Sequence, residues 1–167
     1  MEIERSMQVY LLRHGAAEED RSGLSDADRA LTQDGRRKLR QTLQTASQAD
    51  VRPTLIFTSA LKRAIETAEI AQELLGYKGE VLRTEALLPG SSVEGVWGEI
   101  RVHANETAIV LVGHNPLFAE LPGYLLGVPE LQVDVKKGSL LRIDFESLSS
   151  QPQGILRWFL VAKLAAR

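Results

Sequence analysis

Short apolar runs alternate along the chain with longer stretches in which apolar residues recur at helical spacing. The run at residues 107–112 (TAIVLV) predicts a buried strand, whereas residues 61–75 carry apolar side chains three or four positions apart and are followed by Gly76. This alternation is typical of a largely parallel sheet. The predicted strands are residues 8–12, 55–58, 80–83, 107–112, 139–145 and 155–161, and the predicted helices are residues 33–49, 61–75, 93 to about 104, and 117–126.

The last two predicted strands follow each other without a helix between them, so we expect them to close the sheet with an antiparallel edge strand. The fold class is therefore α/β, a single-domain three-layer α/β/α sandwich with a mostly parallel sheet. A length of 167 residues fits one domain. We expect a short polar extension at residues 1–6, followed by the domain at residues 7–167.

The amino-acid composition argues against several classes of protein and of functional site. The net charge of −2 and an aromatic content of 5% argue against a nucleic-acid-binding protein, which would normally carry a basic excess. The absence of cysteine excludes disulfides, thiolate zinc sites and a cysteine nucleophile. The apolar runs are far shorter than the ~20 residues of a membrane helix. The first residues do not resemble a signal peptide, so we expect a cytoplasmic protein.

Arginine and histidine residues that could take part in catalysis follow three of the predicted strands. Arg13 and His14 follow the first, Arg63 opens the helix after the second, and His114 follows the strand at residues 107–112. In an α/β sheet, ligands bind at the carboxyl ends of the strands, so these side chains are expected to converge. Guanidinium forks and helix amino termini match phosphate oxygens, and the sequence therefore predicts a cationic pocket for a phosphoryl group.

Three motifs carry a resemblance to a known family. Residues 13–15 (RHG), 59–68 (SALKRAIETA) and 113–115 (GHN) resemble, in the same order, the signature motifs of the histidine phosphatase superfamily, whose fold is called phosphoglycerate mutase-like. The chain departs from the family pattern at Ala30 and Ala60, where proline is usual. Residues 26–32 (DADRALT), followed by Gly35, resemble the bacterial SixA-like phosphohistidine phosphatases.

The resemblance implies a role for each matching residue. His14 would attack phosphorus and form a phosphohistidine intermediate, which water then hydrolyses. Arg13, Arg29, Arg63 and His114 would bind the phosphate oxygens and stabilise the transferring group. Neither a cofactor nor a metal is expected, because the arginines supply the positive charge.

A general acid is the least determined part of this interpretation. Superfamily members that cleave phosphoesters protonate the leaving group with a carboxylic acid. Glu85, after the third strand, is one candidate, and Asp26, close to Arg29, is its rival. Glu18 and Glu19 are further alternatives.

Other polar residues are expected to have structural roles. Asn115 is predicted to orient its loop through hydrogen bonds from the side chain to the backbone. His103 is predicted to be a surface residue, and Lys136 and Lys137 to belong to a solvated turn before Gly138.

The resemblance implies a metal-independent phosphatase that acts on phosphohistidine in a phosphorelay or phosphotransfer protein. A small-molecule phosphomonoesterase with the same core is the alternative, and a non-catalytic phosphate-binding module is a weaker one. The expected partner is a phosphohistidine-bearing protein or a small phosphate ester, with neither nucleic acid nor membrane involved.

Overall fold

Six strands form one sheet in a computed structural model that describes residues 6–165. The strands are β1 (Met7–Arg13), β2 (Leu55–Thr58), β3 (Val81–Arg83), β4 (Ala108–Gly113), β5 (Leu140–Phe145) and β6 (Ile155–Leu160). Their order across the sheet is β3-β2-β4-β1-β5-β6. Strands β1 to β4 are parallel, β5 pairs antiparallel with β1, and β6 pairs antiparallel with β5 at the edge.

Within residues 6–165, five helices connect or follow the strands. They are α1 (Gln33–Gln48), α2 (Lys62–Leu74), α3 (Val93–Val102), α4 (Leu117–Leu125) and α5 (Ala162–Ala165). Short 3-10 turns at Asp26–Asp28 and Glu85–Leu87 lie in the loops that follow β1 and β3. Among residues 6–165, no helix is long and apolar enough to cross a membrane.

Two hydrophobic cores lie on opposite faces of the sheet, because successive side chains of a strand point to opposite faces. In β1, Val9 and Leu11 pack with α3 and α4, whereas Tyr10 and Leu12 pack with α1 and α2. Strands β1, β2 and β4 are buried on both faces and are correspondingly rich in Val, Ile and Leu. The three layers of the predicted α/β/α sandwich are thereby confirmed.

The predicted elements are confirmed, with small differences at their ends. Helix α2 begins at Lys62 with Leu61 as its N-cap, and α1 ends at Gln48. Helix α5 was not predicted, because four residues are too few to show a helical period. The expected extension at residues 1–6 lies outside the described residues, apart from Ser6, which is exposed.

The amino end of α1 holds the segment that follows β1. Thr32, the N-cap of α1, accepts a hydrogen bond from the Gly35 amide at 2.9 Å. The Thr32 amide in turn donates to the Ala16 carbonyl at 3.0 Å. A Cβ atom at Gly35 would overlap that same carbonyl oxygen, so only glycine allows α1 to approach Ala16 this closely.

Substituting Gly35→Ala is expected to lower the free energy of unfolding by about 1–3 kcal/mol, the usual cost of overpacking. Gly98→Ala is a matched control, because Gly98 lies within α3 and a Cβ there meets no atom within 4 Å. That variant is expected to gain about 0.5–1 kcal/mol from helix propensity. Urea denaturation measures both, and equal stabilities of the two variants would contradict the close approach.

Candidate active site

The two histidines predicted to converge lie beside each other at the carboxyl edge of the sheet. Strands β1 and β4 are neighbours, and Arg13 is in register with Gly113, so the residue after each strand is His14 or His114. The centroids of the two imidazole rings are 4.9 Å apart, and the ring planes are inclined by 50°. Both side chains are buried.

His14 is fixed in place by its own backbone and by its ring. The His14 amide donates to the Gly113 carbonyl at 3.1 Å, and the His14 carbonyl accepts from the Gly138 amide at 3.1 Å. Nδ1 lies 2.7 Å from the Gly15 carbonyl oxygen. A carbonyl can only accept, so Nδ1 carries the proton and the neutral ring keeps its lone pair on Nε2.

The electrostatic environment keeps this ring neutral. The pKa of His14 is lowered to about 4, mainly by burial and also by the charges of Arg63 and Arg13, while the Gly15 hydrogen bond acts in the opposite direction. At neutral pH the ring therefore offers an unprotonated nitrogen beside two cations.

Arg13 and Arg63 present buried donors with no partner. Arg13 Nη1 donates to the Val135 carbonyl at 2.7 Å, and Arg63 Nη1 donates to the Asp26 carbonyl at 2.8 Å. Within residues 6–165, the Nε atoms of both arginines are buried and make no hydrogen bond. Buried donors are almost always paired in folded proteins, so unpaired ones in a polar pocket point to an anionic ligand.

Asp26 joins two cations through one carboxylate. Arg29 donates to Oδ1 through Nε at 3.0 Å and through Nη2 at 2.7 Å, and Arg63 Nη2 lies 3.3 Å from Oδ2. The Arg29 hydrogen bonds and the positive charges hold the pKa of Asp26 below its ordinary value. Asp26 thus stays ionised at neutral pH, which makes it a poor proton donor and a good positioner of arginines.

The loop that carries Asp26 and Arg29 is closed on itself. The Glu18 amide donates to the Ala30 carbonyl at 2.8 Å, and Arg29 Nη1 donates to the Glu18 carbonyl at 3.0 Å. Asp26 therefore joins Arg29 to Arg63. Two histidines and three arginines form the cluster at this edge of the sheet: His14, His114, Arg13, Arg29 and Arg63.

His114 is held by a residue that the sequence did not single out for a role. Its Nε2 lies 2.5 Å from Oγ of Ser59, which is fully buried at the end of β2. The pKa of His114 is lowered to about 3, first by burial and then by His14 and Arg63. In the described part of the chain, Nδ1 of His114 is buried and unpaired.

Sequence reasoning also missed two contacts made by the backbone around the site. The Gly15 amide donates to Oγ1 of Thr67 on α2 at 3.2 Å. The Val135 carbonyl accepts from Asn115 Nδ2 at 3.3 Å as well as from Arg13, which agrees with the structural role expected of Asn115. Thr67 lies within the motif at residues 59–68, but the motif does not identify Gly15 as its partner, and Val135 lies in none of the three motifs.

The remaining acid candidates form no side-chain hydrogen bond or ion pair with the site histidines or arginines among residues 6–165. Glu85 is exposed in the turn after β3, and none of the hydrogen bonds or ion pairs among the described residues joins its side chain to the histidines or arginines. Glu18 pairs with Arg21 at 3.6 Å, and Glu19 is exposed. Within residues 6–165, no group of three or more His, Asp or Glu side chains could hold a metal ion.

Outside the site, the other predicted polar residues lie at the surface or near it. His103 is only half-buried, and its ring packs edge-on against Phe57 with centroids 4.9 Å apart. Lys136 and Lys137 are exposed before Gly138, in agreement with a solvated turn.

Comparison with known sequences gives one family and one relative. Residues 9–88 match the sequence model of the histidine phosphatase superfamily (branch 1). An uncharacterised protein of Picosynechococcus sp. (strain ATCC 27264 / PCC 7002 / PR-6) is 35% identical over 117 residues, which cover 68% of this chain and 70% of the relative.

Comparison with solved structures shows the fold. The protein histidine phosphatase SixA complexed with tungstate is similar with a TM-score of 0.85 and 22% identity, over 95% of this chain and 99% of that chain. The α-ribazole phosphatase from Shigella flexneri is similar with a TM-score of 0.72 and 20% identity, over 93% of this chain and 97% of that chain.

The lowered pKa values predict how stability depends on pH. An unfolded histidine has a pKa of about 6.5, so between about pH 6.5 and 4 the unfolded chain binds protons that buried His14 and His114 do not. The free energy of unfolding is therefore expected to fall as the pH falls through this window. Urea denaturation at several pH values measures it, and a His14→Asn variant is expected to show a shallower fall. Ring resonances of either histidine that titrate near pH 6.5 in NMR would contradict this environment.

Proposed function

The chain belongs to the histidine phosphatase superfamily, as its three motifs predicted, and we propose that it is a metal-independent phosphatase acting on phosphohistidine in a phosphorelay or phosphotransfer protein. The observation that carries the proposal is the hydrogen bond between His14 Nδ1 and the Gly15 carbonyl, which leaves Nε2 unprotonated beside two arginines. A binding module would need the arginines but not a histidine held in its nucleophilic tautomer.

In the first step, the lone pair of His14 Nε2 forms a bond to phosphorus while the bond from phosphorus to the substrate's imidazole nitrogen breaks. The departing imidazole, already protonated at its other ring nitrogen, keeps the electron pair of the broken bond and therefore leaves as a neutral ring. In the second step, water attacks phosphorus, Nε2 leaves, and inorganic phosphate is released with His14 restored.

The charge of the transferring group would be met by donors that the fold already holds in place. Arg13 and Arg63 carry buried Nε–H groups that have no partner among residues 6–165, and Arg29 adds a third cation through Asp26. Preorganised donors of this kind supply most of the catalysis in phosphoryl transfer.

His114 adds a donor only if its proton lies on Nδ1. Its lowered pKa keeps the ring neutral, so one nitrogen alone carries a proton. We assign the Ser59 hydroxyl as the donor to Nε2, which places the proton on the unpaired Nδ1. The Leu61 amide, 3.4 Å from Oγ, fits this assignment because it donates to the same hydroxyl.

The state of the carboxylates favours phosphohistidine over a phosphoester. An alkoxide leaving group of pKa about 15 needs a proton donor, and acid catalysis typically contributes about 10²- to 10⁴-fold. Asp26 is held ionised by two arginines, and among the described residues no hydrogen bond or ion pair joins the Glu85 carboxylate to the site histidines or arginines. A protonated imidazole leaves without such help.

A small-molecule phosphomonoesterase is the second candidate function. It is supported by the similarity in fold to the α-ribazole phosphatase from Shigella flexneri. In that case Glu85, on the loop after β3, would donate the proton. Either function fits a reaction in the cytoplasm.

The nucleophile is tested by His14→Ala, with His103→Ala as a control that removes a histidine whose ring packs against Phe57. His14→Ala is expected to abolish hydrolysis of phosphohistidine, while His103→Ala retains it. Rapid quenching with ³²P-labelled substrate is expected to trap acid-labile phosphate on wild type and on the control only. Turnover by His14→Ala at the wild-type rate would exclude the proposed nucleophile.

The acid is tested by Glu85→Gln and Asp26→Asn, each assayed at one pH on phosphohistidine and on an alkyl phosphate. Glu85→Gln is expected to leave phosphohistidine hydrolysis within about twofold of wild type, since its leaving group needs little acid catalysis. Asp26→Asn is expected to slow both substrates by similar factors, because it releases the two arginines rather than removing a proton donor. Fast wild-type hydrolysis of the alkyl phosphate, lost in Glu85→Gln, would favour the second candidate function instead.

A further inference from the structure

A groove beside the proposed active site is lined by positive charge. It has a volume of about 760 Å³, and its lining includes Arg13 and Gly15, the residues on either side of His14 in the chain. All of its charged lining residues are cations, namely Arg13, Lys38, Lys136, Lys137 and Lys163. The mechanism proposed above uses only Arg13 among them.

The four lysines come from three separate elements that meet around the groove. Lys38 lies on α1, Lys163 lies on α5, and Lys136 and Lys137 lie in the connection between α4 and β5. Lys38 pairs with Asp34 and Lys136 with Asp134, each at 3.0 Å.

No ion pair within residues 6–165 involves Lys137 or Lys163, and both side chains are exposed. Among the described residues, no carboxylate pairs with these two positive charges at the groove.

A second groove, of about 900 Å³, lies on the other side of the connection between α4 and β5. It is lined by carboxylates, Glu94, Glu120, Glu130 and Asp134, and by no cation. Residues 129–134 of the connection face this acidic groove, whereas residues 136–138 face the basic one. A negatively charged partner would be repelled on one side of the connection and attracted on the other.

We propose that the basic groove docks an acidic segment of the protein that bears the phosphohistidine. This inference rests on the proposed function and names its substrate more closely. A small anion is held at short range by guanidinium forks and amides, as the proposed pocket around His14 does. Lysines on long flexible stems, spread over three elements, suit the diffuse negative charge of a protein surface, which they attract and orient.

The groove would also let the proposed active site select one phosphohistidine-bearing protein over another. Phosphohistidine has the same chemistry on every protein, so the phosphate pocket cannot distinguish one carrier from another. Attraction between a basic groove and acidic flanking residues adds discrimination outside the reacting atoms, and it acts mainly on the rate of association.

The test uses two synthetic phosphohistidine peptides of equal length, one flanked by Asp and Glu and the other by Asn and Gln. The ratio of their kcat/KM values is the readout, which cancels any effect of Lys137 on the pKa of His14. For the wild-type full chain, the acidic peptide is expected to be preferred about 10-fold at low salt. The preference is expected to disappear at about 0.5 M salt, where the Debye length is only a few ångströms.

Variants of the groove lysines test which residues cause the preference for the acidic peptide. Lys163→Gln is expected to reduce the preference, and the double variant Lys137→Gln, Lys163→Gln to remove it. Lys78→Gln is the matched control, because Lys78 is an exposed lysine just before β3, at the opposite edge of the sheet. Equal kcat/KM values for the two peptides in wild type, or a preference that survives in the double variant, would overturn the docking groove.

A measurement of peptide binding tests the docking groove independently of the proposed phosphatase activity. Fluorescence anisotropy with the unphosphorylated peptides measures docking without any turnover. The acidic peptide is expected to bind more tightly than the neutral one to the wild type, and this difference is expected to be absent in the double variant Lys137→Gln, Lys163→Gln. If neither phosphorylated peptide is hydrolysed, the proposed function fails, and the groove is then judged by binding alone. Equal binding of both peptides overturns the groove even if both are hydrolysed.

Discussion

The hydrogen bond that His14 Nδ1 donates to the Gly15 carbonyl decides which ring nitrogen can act on phosphorus. It works only because the surrounding fold holds both partners. Strand β4 accepts the His14 amide, Thr67 accepts the Gly15 amide, and the loop before β5 donates to the His14 carbonyl. Burial then removes the competing protonated state by lowering the pKa of the ring. The tautomer is therefore a property of the whole sheet edge.

The same burial has a cost that the proposed substrate would offset. Arg13 and Arg63 bring positive charge against two neutral histidines, and their Nε atoms have no partner in the described part of the chain. Unpaired buried donors oppose folding, and a phosphoryl group with its three oxygens would satisfy them. Asp26 compensates part of this charge, and because its carboxylate is held ionised, it serves the arginines rather than the leaving group. The same arrangement thus favours phosphate binding and disfavours acid catalysis by Asp26.

How much could be predicted from the sequence depended on whether a signal was local. His14, Arg63 and His114 were found because each follows a predicted strand, and carboxyl ends of parallel strands share one edge. Ser59 and Thr67 lie within the motif at residues 59–68 but received no role, because their partners His114 and Gly15 become apparent only when β2 and α2 pack beside β4 and β1. The Val135 carbonyl could not be predicted at all, since every residue has one.

The basic groove shows the same limit at a larger scale. Lys38 and Lys163 are far apart in the chain and meet only because α5 packs against α1. The net charge of −2 gave no hint of a positive surface, because it averages over the acidic groove as well.

The central claim is that the His14 ring is held so that Nε2 receives the phosphoryl group. It is tested most directly by NMR of the phosphoenzyme, trapped by rapid mixing with a phosphoramidate donor, in protein whose histidines carry ¹⁵N. Coupling between ³¹P and ¹⁵N reports which nitrogen of which histidine is bonded to phosphorus. The structure predicts a single phosphoryl group on Nε2 of His14, with Nδ1 still protonated and hydrogen-bonded to Gly15. A phosphoryl group on Nδ1 of His14, or on either nitrogen of His114, would contradict the account.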